Sequence, residues 1–75
     1  MDISIGTKLK VVSSKNTGIK EGDVFPVAFF EFSDCKDFFK IWLPKSRRHL
    51  LVKSNGVSIW SGCRAEKDRV EFVLA

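Results

Sequence analysis

Apolar side chains in this chain recur at every second position over short runs, and that spacing rules out most folds before anything else is considered. Leu9 and Val11 alternate with Lys8 and Lys10; Phe25, Val27 and Phe29 alternate with Val24, Ala28 and Phe30. Further on, Phe39, Ile41 and Leu43 alternate with Phe38, Lys40 and Trp42, and Val70 and Phe72 with Arg69 and Glu71. Successive side chains of a strand point to opposite faces, so a period of two builds a sheet with one buried side. A stripe at i, i+3 and i+4, which a packed helix needs, holds up nowhere; the best helical candidate is a single turn over Gly62 to Asp68.

Turn-forming residues separate the runs. Ser13 to Gly22 is a polar loop with two glycines, Ser33 to Asp37 reads as a turn, and Pro44 ends the third strand because it has no N–H for a ladder. Ser54-Asn55-Gly56 is a hairpin signal, since Asn and Gly tolerate positive φ, and it joins a strand at His49–Val52 to one at Val57–Trp60. Trp60, late in that hairpin, is assigned to the core, although either face fits the pattern. Five or six short strands result, and closing them on one another removes exposed edges. The fold expected is all-β, a small antiparallel barrel occupying residues 1–75 as one domain. Seven Phe and two Trp supply the core of so short a chain, each large aromatic burying roughly 150–250 Å².

Two stretches carry a resemblance. Ile5-Gly6-Thr7-Lys8-Leu9-Lys10-Val11-Val12, a polar loop, and then Gly18-Ile19-Lys20-Glu21-Gly22-Asp23-Val24-Phe25-Pro26-Val27 resemble the opening of SH3-like and KOW-like barrels. There two strands flank a long loop that ends in a Lys-x-Gly-Asp turn. The ending Asp68-Arg69-Val70-Glu71-Phe72-Val73 is similar to the closing strand of small bacteriophage proteins of this fold. The likeness covers about the first 30 residues and the last eight. It implies an SH3-like barrel, phage-encoded and working in the cytoplasm of an infected host cell. Gly22 fits the tight turn, Asp23 can bond the turn backbone, and Phe25 and Val27 point inward. Peptide-binding SH3 domains line their groove with tyrosines; this chain has none, which argues against proline-rich ligands.

Several function classes are disfavoured. Val24 to Phe32, the most apolar stretch, is too short to span a bilayer as a helix and contains Pro26 and Glu31, so no membrane role is expected. Cys35 and Cys63 lack Cys-x-x-Cys spacing and His49 is the single histidine; no metal site and no cofactor are expected, and the cysteines are read as reduced. Catalysis needs a nucleophile, a base and an orienting group, and nothing in the sequence assembles them around His49, which is read as a strand residue near a surface loop. Asp34 and Asp37 are read as turn formers, and the scattered glycines make no phosphate loop.

What remains is binding. The net charge is +4, and no acidic residue falls between Phe38 and Ala65, where Lys40, Lys45, Arg47, Arg48, Lys53 and Arg64 all lie. A field of one sign attracts anionic partners. Phe38, Lys40 and Trp42 share the outward face of the third strand, and Phe30 is expected to join them from its neighbour. Two readings follow. Phe30, Phe38 and Trp42 form a protein-binding patch, in the phage setting for a host protein that is bound and inhibited; a second copy of the chain is another occupant such a patch fits. Alternatively, Lys40, Lys45, Arg47, Arg48 and Lys53 meet phosphates while bases stack on the aromatics.

Overall fold

The computed structural model describes residues 2–16, 18–62 and 68–75. Six strands are present: β1 Lys8–Ser14, β2 Val24–Phe32, β3 Cys35–Leu43, β4 Arg48–Ser54, β5 Ile59–Ser61 and β6 Val70–Leu74. Each pairs antiparallel with its neighbour in sequence, and β6 pairs with β1, so the sheet closes into a barrel. This all-β architecture is compatible with an SH3-like barrel. No helix among the described residues is long and apolar enough to cross a membrane. The expected helical turn, with Cys63 and Arg64, falls on residues 63–67, outside the described residues.

The period of two does what the sequence implies on β1, β3 and β6. Leu9 and Val11, then Phe39, Ile41 and Leu43, then Val70 and Phe72 are all buried, while Lys8, Lys10, Trp42 and Glu71 between them are exposed. Val27, Val52 and Ile59 complete the strand contribution. Burying each such side chain is worth roughly 1.5–3 kcal/mol, which a chain this short needs to offset its backbone entropy. Ile3 and Ile19 also join the core although neither lies in a strand.

β2 departs from simple alternation. Val27 lies opposite Ile41, but Phe29 lies opposite Lys40, so Ala28 is an extra residue with no partner on β3. This bulge resets the faces of the strand. Phe30 then lies opposite Phe39 and packs against the core with its ring 5.9 Å from that of Phe39, while Phe29 faces outward. The expectation that Phe30 stands on the outside with Phe38 and Trp42 is corrected accordingly: Phe29 takes that place. Phe25 is half-buried against the core.

Turn chemistry fixes the connections. Gly22 sits at φ +92°, and Asp23 Oδ2 accepts the Lys20 N–H at 3.0 Å, closing the turn that leads into β2. After β4, Asn55 Oδ1 accepts the N–H groups of Val57 and Ser58 at 2.9 and 2.7 Å, with Gly56 at φ +86°. The turn therefore consumes Val57, which the alternation placed in a strand and which is instead highly exposed. β5 starts later, and its register puts Trp60 between Lys53 and Glu71 on the outer surface rather than in the core, where Ile59 stands instead.

Candidate functional site

The outward side chains of β2, β3 and β4 converge on one surface. Phe29, Trp42 and Leu51 are exposed at 39%, 39% and 37%. Cross-strand register explains their meeting: Phe29 opposes Lys40, Lys40 opposes Leu51, and Trp42 opposes His49. His49 lies between two rings, its centroid 5.0 Å from Phe29 and 4.9 Å from Trp42, both edge-on. Edge-to-face packing sets the positive rim of one ring against the face of another, so these side chains hold one another in place. Toward the other end of the same surface, Phe32 packs edge-on against Phe38 at 5.8 Å, and Phe38 opposes Lys53, which opposes Trp60.

Charges edge this surface, and two of the cations are matched by acids. Lys40 Nζ lies 3.5 Å from Glu31 Oε2 and Arg69 Nε lies 3.4 Å from Glu71 Oε1; these are the only ion pairs among the described residues. The Arg69 guanidinium also stands 5.7 Å from the centre of the Trp60 ring, within cation–π range. Half-exposed pairs of this kind are worth about 0–1 kcal/mol each, so their main effect here is to offset the charge of Lys40 and Arg69 locally.

The structure brings together only part of what the sequence grouped. Phe38 and Trp42 share the outer surface, with Lys40 and Lys53 beside them; Phe30 does not. Lys45 and Arg47 lie in the β3–β4 turn and Arg48 at the first position of β4. Arg48 opposes buried Leu43 and so sits on the inward parity of β4, at the end of the barrel and off the aromatic surface. The five basic residues therefore do not form one track. Three members of the surface were absent from the sequence-based site: Phe29, hidden by the bulge, and His49 and Leu51, which gain meaning only from their neighbours across the sheet.

His49 is exposed, and among the described residues no hydrogen bond joins it to a nucleophile or a carboxylate. Among the same residues no group of three or more His, Cys, Asp or Glu is placed to hold a metal ion. What this arrangement offers chemically is contact: flat rings, a branched aliphatic and donors at the margin.

No protein-family model matches the chain, and no curated protein and no solved structure is significantly similar to it.

Proposed function

We propose that this protein is a non-catalytic interaction module that docks a partner protein on the outer surface of β2, β3 and β4, with Phe29, Trp42, His49 and Leu51 at the centre and Phe38 and Lys53 at the margin. The observation that carries this reading is the interlocked Phe29–His49–Trp42 group standing in the open beside Leu51. Contiguous exposed apolar surface is costly in water and marks contact sites. Aromatic anchors already held by their neighbours lose little freedom on binding, which favours affinity. The resemblance to bacteriophage barrels makes a bacterial host protein the partner class, and covering part of that protein's surface the means of inhibiting it.

Matched charge favours protein over nucleic acid on this surface. A nucleic-acid groove presents unneutralised cations alongside its stacking rings. Here Lys40 and Arg69 are already paired with acids and Lys45, Arg47 and Arg48 lie elsewhere, which leaves Lys53 as the one residue of the basic set on this face without an ion pair among the described residues. The experiment is capture from a bacterial lysate on the immobilised chain, with Trp42→Ser/Leu51→Ser as the surface variant and Val57→Ser as the control. A host protein held by the wild type and the control but lost by the surface variant supports the reading. Equal retention by all three, or retention only of nuclease-sensitive material, contradicts it.

A further inference from the structure

The basic turn between β3 and β4 takes no part in the surface just described, and it borders a separate cleft. Val24, Phe25, Leu43 and Pro44 line a mainly apolar notch of about 190 Å³, with Lys45 and Asp23 at its edges. A dry cavity of about 150 Å³ accommodates benzene, so this notch has room for one ring or one branched aliphatic side chain. Its two rims differ in electrostatic character. On the β1–β2 loop side stands one carboxylate, that of Asp23, which accepts the Lys20 N–H. On the turn side, Lys45, Arg47 and Arg48 are all exposed, and none forms an ion pair among the described residues.

Arg47 adds a second observation. Its N–H donates to the Leu43 carbonyl at 2.8 Å, closing the turn, and its φ is +54°, in the left-handed region. Glycine takes that conformation freely, whereas a side chain there is strained. Strain held at a loop tip is a pointer to a binding role. Arg47 thus follows Lys45 by two residues in the turn, and its backbone is tied to Leu43, which lines the notch.

We propose that this notch binds an acidic peptide segment through one large apolar side chain, with the flanking carboxylates meeting Lys45 and Arg47. This site is distinct from the β2–β3–β4 surface, and either can fail without the other. The test uses ¹⁵N-labelled protein and an N-acetylated, C-amidated peptide with a single leucine flanked by glutamates. Saturable shifts are expected at the amides of Val24, Phe25, Lys45 and Ser46, with Trp42 and Leu51 unmoved. Binding is expected to weaken about tenfold on Lys45→Glu or Arg47→Glu, and likewise when the peptide's leucine is replaced by serine. Arg47→Gly separates charge from folding: affinity falls several-fold while the melting temperature stays level or rises. Absence of saturable shifts at millimolar peptide, shifts confined to Trp42 and Leu51, or indifference to charge reversal would overturn the proposal. So would a short oligothymidylate that moves the same amides at lower concentration than the peptide.

Discussion

On β3 the same nine residues build two unlike surfaces. Inward, Phe39, Ile41 and Leu43 are buried among side chains from every other strand. Outward, Phe38, Lys40 and Trp42 stand beside Lys53, Leu51 and His49 of β4, in the same ladder but open to water on one side. Both rows are rich in aromatic and aliphatic carbon, so hydrophobicity alone does not tell them apart. What differs is closure: the inner row is covered by the barrel itself, whereas in the outer row Phe38 and Lys40 are half-buried and Trp42 is exposed. The inner row is thus answerable to stability and the outer row is free to answer to a partner.

The largest expected effects break the register that separates the two rows. Deleting Lys40 swings Ile41 outward and Trp42 inward, and with them every later residue of β3. The variant is expected to lose cooperative thermal unfolding, because the inverted half-strand costs several kcal/mol against a total stability of about 5–15 kcal/mol for a domain. Deleting Ala28 on β2 is the matched control. It removes the bulge residue, leaves Phe29 outward and Phe30 inward, and is expected to cost about 2 kcal/mol or less in urea unfolding. Equal destabilisation by the two deletions would mean that Ala28 is not an unpaired bulge residue.

Single truncations within the rows come next. Phe39→Ala opens a cavity in the core and is expected to cost about 3–5 kcal/mol, read as a fall in the denaturation midpoint. Trp42→Ala, three residues along on the other face, is expected to cost less, about 1–3 kcal/mol, because Trp42 is 39% exposed and leaves no enclosed cavity. A larger loss at Trp42 than at Phe39 would mean that the outer row is structural. Smallest of all is the Lys40–Glu31 pair, whose double-mutant coupling is expected at roughly 0.2–1 kcal/mol and to shrink as salt is raised.

The strand pattern of β1, β3 and β6 was legible because their alternation runs unbroken through the residues that matter for the core. So were the Gly22–Asp23 and Asn55–Gly56 turns, where local chemistry and backbone conformation coincide. Phe30 was misplaced because a bulge is a two-strand property: Ala28 looks like any other residue until the ladder with β3 leaves it unpaired. Trp60 was misassigned because the turn takes Val57 and Ser58, which shifts the start of β5 and with it the inward residue to Ile59. The basic residues looked like one cluster because they are close in sequence. The hairpin of β3 and β4 then sends Lys40 and Lys53 along the sheet face and leaves Lys45 and Arg47 at the tip. Ile19 was the hardest to read, an isolated apolar residue in a polar loop that nonetheless reaches the core.

We propose that a partner covers the outer row. The most direct test is the footprint of the captured host protein on the ¹⁵N-labelled chain, measured by amide shifts and line broadening. The perturbed amides are expected to centre on Phe29, Trp42, His49 and Leu51 and to fade toward β1 and β6. A footprint centred on β1 and β6, or on the notch beside Lys45 with the outer row untouched, would contradict it.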